Sequence, residues 1–463
     1  MLRLNSTLHR AVVPFQPRDE GKVSIYVCGP TVQSEPHIGH GRSAVAFDVI
    51  RRYLMWSGFD VTYVRNITDI EDKIIAAAAE SGESVETLAE RMSARFSEGY
   101  EALGVLPPDL EPKATEHIAE IIEMIQVLVD RGLAYPSDGD VYFSVRAKED
   151  YGKLSGRNPD ELRSGYRIEV GESKHDPLDF ALWKGTKPGE PWWDSPWGAG
   201  RPGWHIECSA MATKYLGDGF DIHGGGGDLI FPHHENEIAQ SEGASGTAFA
   251  RYWLHNGMVN LGGEKMAKST GLLVDLASIT AKYGGRALRL LMLRAHYRSP
   301  IEFSDELLAE SEDALERLQR FRERATPGQP DPVAVAAFKE AMDDDFGTPQ
   351  AVSLLFDLVR EGNRVLDEGG DASAIAGAVE SIVGVLGLDD ASMPAESTLD
   401  LGDLASRFGV EADGDDLVDR LVQLRARARA DKRFDDADAI RDGLEQAGVS
   451  LEDGPRGTRW VRK

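Results

Sequence analysis

Two cysteines, Cys28 and Cys208, are the only thiols in the chain, and they stand 180 positions apart. A chain with no sign of export does not keep such a pair as a disulfide, so two separate buried thiols are the simplest reading. The run Phe231-Pro232-His233-His234-Glu235-Asn236-Glu237 offers a second pair of donors. On a helix His233 and Glu237 are four residues apart and share a face, as two ligands of one metal ion must. Two thiolates, an imidazole and a carboxylate form a donor set that zinc accepts. A histidine and a glutamate at that spacing also occur as an ordinary surface pair, and spacing alone leaves both readings open.

Two further groupings suit phosphate chemistry. Pro36-His37-Ile38-Gly39-His40 lies where a strand gives way to a helix. Backbone N–H groups at a helix start favour anions, Gly39 admits a planar ligand close to the backbone, and two imidazoles can donate to phosphate oxygens. A turn carrying two surface histidines is the plain alternative. Far downstream, Lys265-Met266-Ala267-Lys268-Ser269 sits in the Gly-flanked run LGGEKMAKSTG. Two lysines three apart on a loop can neutralise a departing pyrophosphate and the charge of its transition state, although an isolated KxxK is usually only solvated.

These groups need elements to hold them. Val23–Cys28 reads as a buried strand, and Gly29-Pro30 ends it. Val45, Phe47, Val49, Ile50, Tyr53 and Leu54 then recur at near-helical spacing up to Ser57-Gly58, and Asp60–Arg65 is again β-rich. The first 65 residues or so thus predict a parallel β-α-β unit with its site at the carboxyl end of the first strand. From Ser84 to about Arg131 the pattern is helical, and from Gly132 to about Pro202 it is turn-rich, which marks an insertion over about 110–200. The segment Trp204–Gly285 concentrates glycine, histidine and apolar residues, and Phe220–His223 reads as a strand running into a tight turn at Gly224–Gly227. That glycine run lacks the Lys-Ser/Thr ending of a phosphate-binding loop. After Phe303 two long amphipathic stretches predict a helix bundle. An acidic linker follows, then one helical segment, Leu417–Ala447, and the terminal run LEDGPRGTRWVRK.

At 463 residues, with 41% hydrophobic and 28% charged side chains, the chain is expected to form about three water-soluble domains. No apolar stretch reaches the roughly 20 residues needed to span a bilayer, and no signal core opens the chain, which points to the cytoplasm and away from membranes. The formal charge of −27 is unfavourable for phosphate binding, but residues 421–463 hold ten Lys and Arg against eight Asp and Glu. Arg425, Arg427 and Arg429, with Lys432 and Arg433, can meet phosphates, and Trp460 offers a stacking face to an unpaired base. An amphipathic helix with exposed arginines would look the same.

The two phosphate motifs, in this order after a β-α-β unit, resemble the signature motifs of class I aminoacyl-tRNA synthetases. One departure is Ala267, where that class usually has serine; the lysines that carry the charge are kept. The segments IYVCGPTV, RNITDIEDKI, GRPGWHIECSAM, DIHGGGGDLIFPHHENEIAQ and AHYRSPIEFS resemble the cysteinyl branch of the class, and the likeness runs from near the N-terminus to Trp460.

That resemblance implies an α/β fold: a Rossmann-like parallel-sheet catalytic domain with an insertion over 1–303, a helical bundle over 304–390, an acidic linker over 391–416, and a small anticodon-binding module over 417–463. It implies a zinc ion on Cys28, Cys208, His233 and Glu237 that binds the substrate thiolate, and Mg2+ brought with ATP. Catalytic charge stabilisation falls to His37, His40, Lys265 and Lys268, with Pro30, Gly39, Met266 and Ser269 completing the ATP site. Thr68, Trp204, His223 and Asp228 are expected to line the cysteine and adenylate pocket, and Arg425, Arg427, Arg429 and Trp460 to contact tRNA. The expected partners are tRNA(Cys), ATP and L-cysteine, and the expected state is a monomer.

Two rival readings share these features. One is a paralogous ligase that joins cysteine to an amino sugar and has no use for the tail. The other is a non-catalytic nucleotide- or tRNA-binding protein, which would not need both pairs of charge-stabilising residues.

Overall fold

Val23, Ile25 and Val27 alternate with Ser24 and Tyr26, and all five are buried, as a strand with helices on both faces requires. The structure, a computed structural model, describes residues 1–161, 174–261, 264–265, 274–389, 401–410, 414–447, 449–454 and 457–462. A short antiparallel hairpin, β1 (Arg3–Ser6) and β2 (Ala11–Pro14), precedes the buried strand, β3 (Lys22–Val27). Helix α1 (Ile38–Trp56) crosses over to β4 (Asp60–Arg65), which pairs with β3 in parallel, Tyr26 opposite Val64.

The other neighbour of β3 comes from far along the chain. Strand β9 (Phe220–Gly226) pairs with it in parallel, Val27 opposite Gly224, and β10 (Ala250–Asn256) completes the order β10-β9-β3-β4. The predicted tight turn at Gly224 is therefore corrected: the strand continues through Gly226. A Cβ on Gly224 would lie 2.3 Å from the ring of Phe47, so glycine is needed where α1 crosses the strand.

Alternation along the strands gives the sheet two chemically distinct faces. Val23, Ile25, Val27 and Leu254 join one apolar cluster with Phe47 and Val45 of α1, whereas Tyr26, Cys28 and Trp253 join another with Cys208 and Ile238. The second cluster is supplied by α5 (Trp204–Leu216) and α6 (Glu235–Ser245).

Helices α2 (Asp72–Ser81) and α3 (Val85–Ala102) follow β4, and α4 (Ile118–Asp130) stands near the start of the insertion. The predicted turn-rich segment is built from short strands: β5 (Ala134–Ser137), β6 (Asp140–Phe143), β7 (Phe180–Gly185) and β8 (Gly200–Pro202) form an antiparallel sheet in sequence order. Phe143, Leu182 and Trp183 pack with Ile121, Ile125 and Leu128 of α4 and with Ile206 and Ala210 of α5 and Ala239 of α6, so the insertion shares a core with the catalytic helices. Lys184 (2.5 Å) and the buried Arg201 both bind Asp72 at the start of α2 and anchor the unit there.

Strands β11 (Val259–Leu261), β12 (Glu264–Lys265) and β13 (Ile301–Phe303) form a small sheet near α7 (Leu276–Tyr283) and α8 (Gly285–Leu293). The predicted bundle follows as α9 (Asp305–Arg324), α10 (Pro332–Asp343), α11 (Thr348–Asp367) and α12 (Ser373–Leu386). Arg289 of α8, fully buried, locks the bundle to the catalytic unit: it binds Asp48 of α1 and donates to the carbonyls of Leu386 (2.7 Å) and Leu103 (3.1 Å).

Part of the expected linker, 390–400 and 411–413, lies outside the described residues, and α13 (Gly402–Phe408) stands between. The single helix expected over Leu417–Ala447 is two, α14 (Gly414–Ala430) and α15 (Phe434–Gln446), because Lys432 adopts a left-handed conformation (φ 61°) that no helix continues through. The terminal run is a hairpin, β14 (Val449–Gly454) and β15 (Gly457–Arg462). Leu421, Ile440 and Val449 give this tail a separate small core. Among the described residues no helix is long and apolar enough to cross a membrane.

Candidate active site and metal centre

Cys28 follows β3 directly, at the carboxyl end of a central parallel strand, where α/β sheets open a crevice for ligands. Its N–H donates to the carbonyl of Gly224 (3.0 Å), which extends the ladder one residue past the strand and fixes where the thiol points. Cys208 arrives from α5, in which Cys208, Ala210, Met211 and Ala212 are all buried. His233 comes from the irregular turn Ile230–His234, and Glu237 from the first turn of α6. The helix on which His233 and Glu237 were expected to share a face begins only at Glu235, yet the two side chains meet, with Nε2 and Oε1 3.0 Å apart.

One donor atom from each of Cys28, Cys208, His233 and Glu237 lies within 4.8 Å of every other, and all four residues are buried. Ligand atoms at the corners of a tetrahedral zinc site stand about 3.3–3.8 Å apart, given metal–sulfur and metal–nitrogen bonds of about 2.3 and 2.0–2.1 Å. The donors are of the type zinc binds, and they lie close enough together to converge on one ion. A second combination, Cys28, His223, His234 and Glu237, meets the same distance criterion. We favour the first because it uses both thiols, while Nε2 of His223 already has a role 2.8 Å from Oε2 of Glu237, as an orienting partner for that carboxylate.

The charge states fit this arrangement. Burial pushes the Cys28 thiol up, reinforced by Cys208 and Glu237. Burial would also raise Cys208, but hydrogen bonds from Cys28 and His233 bring it down to about 6, so Cys208 is the first thiol to ionise. Glu237 is held well below the carboxylate range against its burial by His223 and His233. Burial opposes a charge on His233, yet Glu237 and Cys208 raise it to about 10.

Asn66 was missed by the sequence reading. It is fully buried, and its Oδ1 accepts from the N–H of Gly29 (2.9 Å) and from the Cys208 thiol (3.6 Å), joining the two cysteine-bearing elements. Its only sequence signal is a polar residue placed just past a strand end. His205 was missed as well; its Nδ1 lies 2.9 Å from Nδ1 of His233 and holds that ring in place, and burial keeps His205 neutral.

The other half of the site is built at the start of α1. His37 is the N-cap, its Nδ1 accepting from the N–H of Gly39 (3.1 Å), while Nδ1 of His40 accepts from the N–H of His37 (3.2 Å). The two rings stack with centroids 3.7 Å apart. Burial, with His37 adding to it, lowers His40 to about 3, so that ring is neutral at working pH. A neutral imidazole accepting at Nδ1 carries its proton on Nε2, which makes Nε2–H of His40 a ready donor.

The described residues flanking the second lysine motif are held by backbone pairing, on the downstream side to the start of α1. On one side β11 and β12 pair Asn260 with Lys265. On the other, the carbonyl of Val274 accepts from the N–H of Ile38 (3.0 Å), and Leu276 donates to the carbonyl of Pro36 (3.0 Å). Only the backbone of Lys265 is described; Met266, Ala267, Lys268 and Ser269 lie outside the described residues.

A cleft of about 280 Å³ joins the two halves, lined by Cys28, Pro30, Gly39, His40, Trp204 and Asp228 among others. Trp204 packs on His233 with ring centroids 4.3 Å apart. Thr68 and His223 lie one layer deeper: Thr68 donates its N–H to the carbonyl of Pro30 (3.1 Å), and His223 stacks on Trp253. In the tail, Arg427 and Arg429 are exposed, Arg425 is buried, and the backbone of Trp460 pairs with Leu451, its side chain lying outside the described residues.

Comparison with known proteins accords with this geometry. Residues 14–313 match the family model described as tRNA synthetases class I (C) catalytic domain, and residues 337–388 match a DALR domain. The chain is 49% identical over 486 residues to the cysteine–tRNA ligase of Geobacter metallireducens, with all of both chains covered. It is 51% identical over 475 residues to that of Alkalilimnicola ehrlichii, again with both chains fully covered. Among solved structures it shares its fold with Mycobacterium tuberculosis methionyl-tRNA synthetase in complex with methionyl-adenylate (TM-score 0.56, 17% identity, 79% of this chain and 89% of that one). It shares it also with the LeuRS of Agrobacterium radiobacter in a ternary complex (TM-score 0.59, 11% identity, 82% and 85%). A parallel sheet with its signature histidines at a helix start, the two family matches and full-length identity near one half lead to one conclusion: the chain belongs to the cysteine–tRNA ligase family of class I aminoacyl-tRNA synthetases.

Proposed function

We propose that the chain activates L-cysteine with Mg-ATP to cysteinyl-adenylate and pyrophosphate, then transfers cysteine to the 3′ end of tRNA(Cys). The observation that carries this reading is the convergence of Cys28, Cys208, His233 and Glu237 at the carboxyl end of β3, in one cleft with the capped start of α1. These four residues would hold a zinc ion, which when bound supplies a soft Lewis acid that selects a thiolate over a hydroxyl of similar size. An apolar pocket separates near-isosteres by only about 1–3 kcal/mol, so such a donor set removes the need for hydrolytic editing.

The chain's own residues do the rest. The cysteine carboxylate attacks the α-phosphate of ATP in line, with His37 and His40 donating to phosphate oxygens at the start of α1 and Lys265 and Lys268 neutralising the departing pyrophosphate. Trp204, on His233, walls the amino-acid pocket, and Asp228 stands at the cleft. A terminal ribose hydroxyl of the tRNA then attacks the adenylate carbonyl, with no covalent enzyme intermediate. Thr68 and His223 support the pocket from beneath. In the tail, which we assign to anticodon recognition, Arg427, Arg429 and Trp460 meet the tRNA, and Arg425 supports them from within. We take the enzyme to act as a cytoplasmic monomer, divided as the sequence suggests into catalytic, bundle and tail units.

The tail, with its own core, favours this reading over the amino-sugar ligase. ATP–pyrophosphate exchange with every amino acid, followed by offering tRNA or the amino sugar as acceptor, tests it. Exchange should require cysteine and ignore serine, and acylation should go to tRNA. Comparable serine-driven exchange, or transfer to the sugar in preference to tRNA, would overturn it.

A further inference from the structure

Lys73, the second residue of α2, sits at the rim of the cleft with its ammonium 5.7 Å from the centre of the Trp204 ring. The side chain is exposed, and among the described residues it has no carboxylate partner. Its acidic neighbours are engaged elsewhere: Glu71 caps α2 by accepting from the N–H of Lys73 (2.7 Å), and Asp72 is bound to Lys184 and Arg201. Arg65, the other cation lining this part of the cleft, is buried, pairs with Glu111 through Nη2 (2.7 Å) and lies over the ring of Tyr100 (4.5 Å), with Nε and Nη1 left without a hydrogen-bond partner.

Position decides which anion this ammonium meets. His37 and His40 stand at the start of α1, where the phosphates of ATP are received, whereas Lys73 overhangs the ring that packs on His233, on the amino-acid side. Asp72 beside it is the point at which the insertion strands β7 and β8 are tied to α2. A polynucleotide end reaching the amino-acid side of the cleft across this seam brings one phosphodiester to the rim, and a compact ammonium on a flexible stem suits a single phosphate oxygen.

We propose that Lys73 binds the terminal phosphodiester of the tRNA acceptor end and positions the attacking ribose for the transfer step. The proposal rests on the cysteine–tRNA ligase reading. The step itself is unchanged: the ribose oxygen forms the ester bond, the acyl–phosphate bond breaks, AMP leaves with the electron pair, and the hydroxyl proton passes to the departing phosphate or to solvent.

The test uses the full-length enzyme with zinc bound, comparing the unsubstituted chain with Lys73→Met and Lys73→Arg. Lys73→Met should change cysteine-dependent ATP–pyrophosphate exchange less than twofold, while KM for tRNA in charging rises about tenfold, as loss of one charge-assisted contact implies. The slope of log kcat/KM for tRNA against log salt should become shallower by about 0.7, the contribution of one neutralised single-strand phosphate. Lys73→Arg should restore both. An equal fall in exchange and charging, a raised KM for ATP, or an unchanged KM for tRNA and salt slope would overturn the assignment. If the unsubstituted enzyme shows no cysteine-dependent exchange, the ligase reading fails instead, whatever Lys73 does.

Discussion

His223 and Glu237 face each other with Nε2 and Oε2 2.8 Å apart, while the other oxygen of the same carboxylate lies 3.2 Å from the Cys28 thiol and 3.0 Å from His233. One oxygen is thus held by a partner outside the donor set and the other is aimed into it. His223→Ala should weaken zinc binding by about 10–100-fold, the usual effect of removing such a partner. Competition against a chelator measures it, and an unchanged affinity would show that Glu237 is oriented by α6 alone.

The donor set itself is tested by metal content. The purified chain should carry about one zinc, and Cys208→Ser should lose it, because a hydroxyl is neither acidic nor soft enough to replace the thiolate. Full zinc occupancy in the variant, by elemental analysis, would move the site to the alternative set with His223 and His234.

Asp48 of α1 and Arg289 of α8 form a buried pair, and Arg289 also reaches the bundle at the carbonyl of Leu386. Asp48→Ala leaves the guanidinium without its counter-charge and should cost about 3–5 kcal/mol, read from urea unfolding. Burial alone would raise the carboxyl of Asp48, but Arg289 and Arg52 hold it below the ordinary carboxylate range. Burial lowers Arg289, yet a guanidinium stays charged at any working pH, so the Asp48 direction governs. Its stabilisation is therefore complete above the unfolded value of about 4 and is lost as pH falls through the lower folded value. Asp48→Asn should accordingly lose less stability on acidification than the unsubstituted chain.

Removing residues 400–463 should leave ATP–pyrophosphate exchange within about twofold, because the tail has a separate core, and reduce tRNA charging by at least tenfold if, as proposed, the tail supplies the phosphate contacts. Charging kinetics that survive the truncation would assign the tail another task.

The parts legible in the sequence are those governed by short-range pattern. The β-α-β unit over 22–65 follows from alternation and helical spacing, whereas the donor set follows from the family resemblance, because spacing alone left His233 and Glu237 equally readable as a surface pair. What escaped depends on partners distant in sequence. Gly224 belongs to a strand because Phe47 needs the space above it, 177 residues away in the chain, and no local pattern signals that. The insertion sheet was hidden by strands of three to six residues between turns. Asn66 matters because a strand end and a remote helix meet at its amide, and a glycine-free turn at Asp431–Arg433 interrupts a segment that otherwise reads as one helix.

The two-faced parallel sheet acts as a partition. Cys28 and Cys208 belong to the cluster on one side, and the body of α1 packs on the other. Distant sites without shared partners combine additively, within about 0.5 kcal/mol. Substitutions in the thiol-side cluster therefore leave the apolar face that seats the body of α1 in place, while the two halves of the cleft still meet at the carboxyl end of the sheet.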